Sequence, residues 1–234
     1  MAQLSKQDKN NALRRIAEII RQNSQLICRA NQHDIQAAKQ AGLSEALIDR
    51  LLLDEARIEG IARAVEEIIQ LPDPVGQVLS GETMSEGMQL INVRVPLGVC
   101  GIIYEARPNV TVDAAALCLK AGNAVILKGG KEAIESYKGL TRLMRQALEE
   151  VELPADCIQL IEDTSRQASI ELMELRALDV LIPRGGAGLI ASVVEHAKVP
   201  VIETGTGNNH LFVDATADLS QALDILINAK CQRP

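Results

Sequence analysis

The fold is decided by the stretch from Val95 to Val110, VPLGVCGIIYEARPNV. An apolar segment runs directly into a charged turn and then into a helical pattern, which predicts a strand that ends in polar side chains. In open α/β sheets, ligands bind at the edge where parallel strands end. A second strand of the same kind follows at residues 124–131, AVILKGGK. The two strands and the helix between them predict a βαβ unit whose polar groups share one edge.

Strand and helix patterns alternate from residue 96 onward. The predicted strands are residues 98–104, 123–128, 157–161, 179–182, 199–203 and 210–213. The predicted helices are residues 109–121, 132–151, 165–176, 186–197 and 216–230. This alternation predicts an α/β fold with a doubly wound, mostly parallel sheet over residues 96–234.

The chain before this sheet has a helical pattern. Apolar residues recur at helical spacing through residues 1–75, Gly42 interrupts the pattern, and Ser44 can cap a new helix. We therefore expect three N-terminal helices. Residues 76–95 alternate polar and apolar side chains, which predicts an exposed hairpin or edge segment and a possible oligomerisation element.

Composition narrows the class of protein. The chain has 234 residues, of which 47% are hydrophobic and only three are aromatic, so an aliphatic core under helices is expected. The shortage of aromatic stacking platforms and the net charge of -7 argue against a nucleic-acid partner. No apolar run reaches the roughly 18 residues of a membrane helix. With no leader pattern at the N-terminus, we expect no membrane partner and a cytoplasmic location.

The five cysteines are dispersed, and only three histidines are present. No CxxC pair occurs, which argues against a zinc site and against a disulfide framework, so no metal is expected. Cys100 and Cys118 lie in apolar stretches and are predicted to be core residues. No cysteine neighbours a plausible base in the sequence, which leaves thiol catalysis within this chain unsupported.

A glycine-rich turn, PRGGAG at residues 183–188, follows one predicted strand and opens a helix. Gly185 and Gly186 would let a phosphate approach free backbone N–H groups, and the helix dipole favours an anion there. The alternative is a tight turn that needs glycine for its backbone conformation.

Two further turns carry candidate cofactor groups. Lys128, Gly130 and Lys131 close the second strand, where the lysines could hold a ribose hydroxyl or a phosphate; the alternative is a solvated loop with surface lysines. Glu203 and Gly205 follow a buried strand, where the carboxylate is a candidate acid/base group; the alternative is a helix-cap or loop carboxylate.

Glu105, Arg107 and Asn109 are candidate substrate-binding residues. They follow the first strand of the sheet, and the guanidinium fork of Arg107 suits a carboxylate or phosphate. The alternative is a Glu105–Arg107 ion pair with Asn109 capping the next helix.

These motifs resemble the gamma-glutamyl phosphate reductases (glutamate-5-semialdehyde dehydrogenases) of the aldehyde dehydrogenase superfamily. The matching segments are residues 95–98, 104–113, 120–130, 182–188 and 228–234. The resemblance implies an aldehyde-dehydrogenase-like cofactor domain, with N-terminal helices and a Rossmann-like, NADP-binding part at residues 96–234. It also implies NADPH-dependent reduction of gamma-glutamyl phosphate to glutamate 5-semialdehyde in proline biosynthesis, and a homo-oligomer when full length.

The resemblance further implies roles for single residues. It places Lys128 and Lys131 at the adenosine ribose and its 2′-phosphate, and it places Glu203 near the nicotinamide. The family's thiol nucleophile lies beyond the position of Pro234, so we expect no catalytic cysteine here and a catalytic domain that is largely absent. Cys231 stands where the family usually has Thr, and Asn209 where it usually has Cys. The alternative function is therefore a truncated, non-catalytic nucleotide-binding fragment.

Overall fold

The computed structural model describes residues 1–205 and 210–231. Contacts divide the chain into two compact units, Met1–Glu203 and Thr204–Pro234. The first unit contains the N-terminal helices and the parallel sheet that the sequence patterns predict. The second contains one long helix, α9 (Leu219–Cys231), in its described part.

Four helices open the first unit, where the sequence predicts three. They are α1 (Lys6–Gln22), α2 (Ser24–Gln40), α3 (Glu45–Leu51) and α4 (Glu55–Gln70). The apolar periodicity continues across the α1–α2 junction, but Asn23 leaves helical geometry there, with φ -111° and ψ 22°. Its side-chain Nδ2 donates to the carbonyl of Ile19 at 2.8 Å, and its backbone N–H donates to the same carbonyl at 3.1 Å. A local side-chain hydrogen bond therefore divides into α1 and α2 a segment for which the apolar periodicity alone predicts one continuous helix.

Two antiparallel strands follow, β1 (Val78–Thr83) and β2 (Gln89–Val93). They form a two-stranded hairpin of their own, and every residue of both strands is exposed. The alternation in the sequence thus corresponds to a ribbon rather than to a strand of the main sheet.

The main sheet is parallel, and its strands alternate with helices. The order along the chain is β3 (Val99–Tyr104), α5 (Pro108–Lys120), β4 (Ala124–Gly129), α6 (Ile134–Glu150), β5 (Ile158–Leu160), α7 (Arg166–Glu174), β6 (Val180–Arg184) and α8 (Ala187–His196). The spatial order is β5-β4-β3-β6. The doubly wound α/β fold predicted from the sequence is confirmed, because α5 and α6 contribute to one hydrophobic cluster and α7 and α8 to a second.

Two predicted strands differ in the structure. Residues 199–203 contribute a single parallel bridge between Val201 and Leu181 rather than a strand. The predicted strand at 210–213 is wrong: these residues form no strand, and the side chain of Phe212 is 87% exposed. Within the described part of the second unit these residues have no strand to pair with, and an isolated apolar stretch does not stay extended without a partner.

A buried polar network joins the N-terminal helices to helix α6. Asn31 on α2 donates to the carbonyl of Leu51 at 2.7 Å and accepts from the N–H of Leu53 at 2.8 Å. Its Nδ2 also lies 3.0 Å from the Ser136 hydroxyl on α6. Because each of these groups is buried, leaving any one unpaired would cost the full penalty of desolvation.

Asp34 caps helix α6 from a different helix. Its carboxylate accepts from the backbone N–H groups of Glu135 and Ser136, at 3.1 and 2.8 Å, and from the Ser136 hydroxyl at 2.6 Å. Burial raises the pKa of Asp34, and the hydrogen bonds from Ser136 and Glu135 oppose that rise. This tertiary cap fixes where α6 begins, directly after the turn that ends β4.

We expect Asn31→Ala to lower the free energy of unfolding by about 2–4 kcal/mol, because it orphans a buried N–H and a buried carbonyl. Urea unfolding followed by circular dichroism measures the change. The matched control is Gln36→Ala, an exposed amide on the same helix, which should change stability by less than about 0.5 kcal/mol. Equal effects of the two substitutions would contradict a stabilising role for the network.

Candidate functional site

The carboxyl edge of the sheet brings the candidate turns together. Tyr104, the last residue of β3, pairs with Gly129 at the end of β4 on one side and with Arg184 at the end of β6 on the other. The chain leaves all three strands at the same level. Three turns therefore lie next to one another, as the sequence predicts for parallel strands. They are residues 105–109, residues 130–132 and Gly185–Gly186.

Lys128 is the most unusual residue of this edge. The residue is only 3% exposed, and its Nζ makes one hydrogen bond, to the carbonyl of Gly129 at 3.3 Å. Burial lowers the pKa of Lys128, while the charges of Asp163 and Glu132 partly oppose that shift. No carboxylate lies within ion-pair distance of it in the described ranges. An ammonium has three donors, so this buried cation is incompletely satisfied.

The sheet face on which Lys128 lies is set by strand alternation. Side chains alternate between faces, so Lys128 extends the row of Ile126, which packs in the cluster beneath α7 and α8. Glu105 continues the row of Ile103 in the same way. The ammonium of Lys128, the Glu105 carboxylate and the start of α8 thus belong to the same face.

The side chain of Glu105 contacts the glycine turn that precedes α8. The Gly186 N–H donates to Glu105 Oε2 at 2.9 Å. A Cβ on Gly185 would lie 2.6 Å from Glu105 Cδ and 2.8 Å from a methyl of Leu189, so a larger residue there would have to displace the ends of these two side chains. Neither glycine of this turn has a positive φ, so backbone conformation does not require glycine at either position.

Arg107 and Asn109 occupy the first residues around α5. Arg107 is the N-cap, without a side-chain capping bond, and Pro108 is the first helical residue. The alternative that Asn109 caps this helix is wrong, because Asn109 lies inside it and donates to Asp113 at 2.9 Å. A Glu105–Arg107 ion pair does not form either, and the guanidinium of Arg107 is exposed. Burial raises the pKa of Asp113, which the bond from Asn109 opposes.

Gly130 and Lys131 complete the turn after β4. The Gly130 N–H donates to the carbonyl of Tyr104 at 2.9 Å, and a Cβ at this position would lie 2.5 Å from Glu132 Oε2. Lys131 is exposed and begins a short 3-10 helix, Lys131–Ala133.

Glu203 and Gly205 are exposed and fall on either side of the division between the two units. Glu203 ends the first unit and Gly205 lies in the second. The predictions for Asn209 and for the segment 232–234 lie outside the described residues.

Sequence reasoning missed two groups at this edge. Asp163 follows β5, and its charge favours the ammonium of Lys128; its position directly after a strand was the available signal. Tyr137 on α6 packs edge-on against Tyr104, with ring centroids 5.2 Å apart, and lies directly beneath Gly129. The Tyr104 hydroxyl lies 2.8 Å from that of Thr111. No local pattern pairs these residues, which are distant in sequence.

Two cavities of the first unit lie away from the candidate turns. One cavity of about 650 Å³ lies near the opposite, amino ends of β3 and β4 and is lined by residues such as Gly98 and Ala124. Another, of about 600 Å³, lies between α6 and β5 and is lined by residues such as Arg142 and Gln159. Neither is lined by any residue that the sequence predicts to bind cofactor or substrate.

The described residues contain no group of three or more His, Cys, Asp or Glu residues arranged to hold a metal ion. None of their helices is both long and apolar enough to cross a membrane.

The geometry defines a class of protein: an α/β protein with N-terminal helices and a parallel sheet whose carboxyl edge carries glycine turns and a buried cation. A model of the aldehyde dehydrogenase family matches residues 1–233. The chain therefore belongs to the aldehyde dehydrogenase family. Within it, the resemblance to gamma-glutamyl phosphate reductases that the motifs indicate is confirmed by the relatives.

The gamma-glutamyl phosphate reductase of Carboxydothermus hydrogenoformans is 57% identical over 235 aligned positions, which cover all of this chain and 57% of that relative. The crystal structure of gamma-glutamyl phosphate reductase from Thermotoga maritima matches with a TM-score of 0.92 and 44% identity, over 100% of this chain and 56% of that one. A probable aldehyde dehydrogenase from Listeria monocytogenes, at 17% identity and a TM-score of 0.72, shares the fold over 97% of this chain and 47% of its own. The chain thus spans somewhat more than half the length of the reductases it matches.

We expect Gly129→Ala to destabilise the protein by about 1–3 kcal/mol, because a Cβ there would overlap the buried Tyr137 ring. Gly188→Ala is the control, since a Cβ at that helical position meets nothing within 4 Å and should stabilise the protein by up to about 1 kcal/mol. Urea midpoints of both variants against the parent chain measure the effects. If both substitutions shift the midpoint in the same direction, the close approach of Tyr137 does not explain why residue 129 is a glycine.

Proposed function

We propose that residues 1–234 supply the NADPH-binding part of an enzyme that reduces gamma-glutamyl phosphate to glutamate 5-semialdehyde in proline biosynthesis. The observation that carries the proposal is the buried ammonium of Lys128, which has one weak hydrogen bond and lies at the carboxyl edge of a parallel sheet. The similarity to reductases of that name supports the substrate and the reaction.

The dinucleotide would supply the hydrogen-bond partners that the Lys128 ammonium lacks. An ammonium in a dry site costs free energy unless its donors are satisfied, and ribose hydroxyls or a phosphate would satisfy them. Lys131, exposed at the next turn, would add a second cation for the 2′-phosphate of NADP. The carboxylate of Glu132 lies beside the same turn and would accept from a ribose hydroxyl.

The pyrophosphate would lie at the amino end of α8. The first N–H groups of a helix have no partner within it, and the helix dipole favours an anion. Gly185 and Gly186 leave the backbone there uncovered by side chains of their own. Glu203 would lie near the nicotinamide, and Gly130 would let the chain pass close to the ribose.

The substrate would meet the turn after β3. Arg107 presents an exposed guanidinium without an ion pair among the described residues, and its fork fits a carboxylate or a phosphate in two-bond geometry. Glu105 and Asn109 would contact the amino-acid end of the substrate from the same turn. A zwitterionic acyl phosphate offers groups of both charges to these side chains.

The proposed reaction would need a thiolate. The thiolate would displace phosphate from the acyl phosphate to form a thioester, and NADPH, when bound, would supply the hydride that converts the thioester to the aldehyde and releases the thiolate. Cys100, Cys118 and Cys157 are buried and Cys28 is partly buried, while Cys231 is exposed at the last residue of α9. None of the four cysteines of the first unit lies in the turns of the candidate site.

Two further features belong to the proposal. The exposed apolar side chains of the β1–β2 hairpin, such as Leu90 and Ile91, would be covered in a homo-oligomer of the full-length protein. Five free cysteines fit a reducing compartment, so we place the protein in the cytoplasm.

A second candidate function is a nucleotide-binding fragment without catalysis. The observation that favours it is length, since the chain covers 57% of the reductases it matches. The intact mass of the native protein, or the reading frame after the codon for Pro234, distinguishes the two.

We expect Lys128→Ala to weaken NADPH binding by about 1–3 kcal/mol, the range for losing a charge-assisted hydrogen bond. Isothermal titration calorimetry measures the dissociation constant. Lys39→Ala, which removes an equal charge from the exposed end of α2, is the matched control and should leave it unchanged. Unchanged affinity in Lys128→Ala would refute the assignment.

Binding should also depend on pH through Lys128. Its lowered pKa means that the ammonium loses its proton below the ordinary lysine value of 10.5, and only the charged form attracts phosphate. A phosphomonoester is already ionised above about pH 7. NADPH affinity should therefore fall as pH rises through the alkaline range. Lys128→Arg keeps its charge there and should show a shallower fall in affinity; an equally steep fall in that variant would contradict the role of Lys128.

We expect the 234-residue chain on its own to show no reductase activity. Positioning a thiolate against the nicotinamide supplies about 7–11 kcal/mol of the barrier reduction, and none of the four cysteines of the first unit lies in the turns of the candidate site. The assay is phosphate-dependent reduction of NADP with glutamate semialdehyde. Activity that disappears in Cys231→Ala would identify Cys231 as the nucleophile and overturn this expectation.

A further inference from the structure

The carboxylate of Glu105 occupies the amino end of helix α8. Its Oε2 accepts from the Gly186 N–H at 2.9 Å, and Gly186 is the N-cap of the helix. Both Glu105 oxygens lie within 3.9 Å of the point where a Cβ of Gly186 would stand. The N-cap has no side chain of its own to offer, so a side chain from the neighbouring strand provides the anion that the helix end favours.

The main chain that carries this carboxylate is fixed. The Glu105 N–H donates to the carbonyl of Arg184 at 3.2 Å, which extends the β3–β6 ladder by one bond past Tyr104. The Glu105 side chain, in contrast, is exposed. It can leave the end of α8 by rotating into solvent without breaking the sheet.

A dinucleotide phosphate placed at this helix end would meet a negative charge already there. Two anions at one helix terminus repel each other, and only one can accept from the Gly186 N–H in good geometry. We propose that Glu105 is an internal anion that competes with the dinucleotide's phosphates for the amino end of α8 and thereby weakens dinucleotide binding. The proposal rests on the proposed function only in taking that dinucleotide as the competitor.

The competing explanation is purely structural: Glu105 would hold the Gly185–Gly186 turn in shape for the dinucleotide. Two substitutions separate the explanations. Glu105→Gln keeps an oxygen acceptor for the Gly186 N–H but removes the charge, and Glu105→Ala removes both. Competition predicts tighter binding in both variants, whereas a structural role predicts weaker binding in Glu105→Ala.

The experiment is calorimetric titration of the purified chain with NADPH and, separately, with inorganic pyrophosphate. We expect Glu105→Gln and Glu105→Ala to lower both dissociation constants about 2- to 5-fold, the range for one charge at a helix terminus. The gain should shrink at high salt, because mobile ions screen an exposed charge. The matched control is Glu195→Gln, an exposed glutamate in the last turn of the same helix, which should bind as the parent chain does.

The outcomes decide the two proposals separately. NADPH binding by the parent chain with equal or weaker binding in either Glu105 variant overturns the competition and leaves the proposed function standing. If no protein binds NADPH, the proposed function fails; the competition is then upheld by tighter pyrophosphate binding in the Glu105 variants and overturned by its absence. An equal gain in Glu195→Gln would assign the effect to net charge and overturn the proposal.

Discussion

The candidate site depends on the pairing of β3 with a parallel strand on each side. Because β4 and β6 pair with β3 in fixed register, Tyr104, Gly129 and Arg184 end their strands at the same level. Every feature of the candidate site follows from this alignment. A slip of one residue in either ladder would move the side chains of that strand to the opposite face and would separate Lys128 from the Gly185–Gly186 turn.

The same edge carries two charged groups whose placement lowers the free energy of unfolding. Lys128 buries an ammonium with a single long hydrogen bond, and Glu105 places a carboxylate against a helix end that a phosphate would otherwise use. The rest of the fold compensates through well-satisfied polar contacts elsewhere. Lys9 pairs with Asp73 at 2.6 Å, and Lys120 donates to Asn10 and to the Ile69 carbonyl, so the other two buried ammonium groups have strong partners. Lys128 stands apart from them in this respect.

Local interactions explain where the sequence-based expectations differ from the structure. Asn23 divides one expected helix into two by a bond to its own backbone neighbour. Residues 210–213 have the composition of a strand but no described strand beside them, and β-structure depends on a partner more than on intrinsic preference. The alternative that Asn109 caps α5 is wrong, because Asn109 lies one position past Pro108, inside the helix, where its amide donates to Asp113.

The sequence by itself determined the α/β class, the approximate position of each strand of the main sheet, and the set of turns at its carboxyl edge. These properties follow from the spacing of apolar residues and from the positions of glycine and proline, which act over a few neighbouring residues. Only the tertiary structure decided that Lys128 is buried without a strong partner, that Glu105 reaches the Gly186 N–H, and that Asp34 caps α6. Each of these depends on residues that are far apart in the chain, and their proximity is created by strand order and helix packing, which no local pattern encodes.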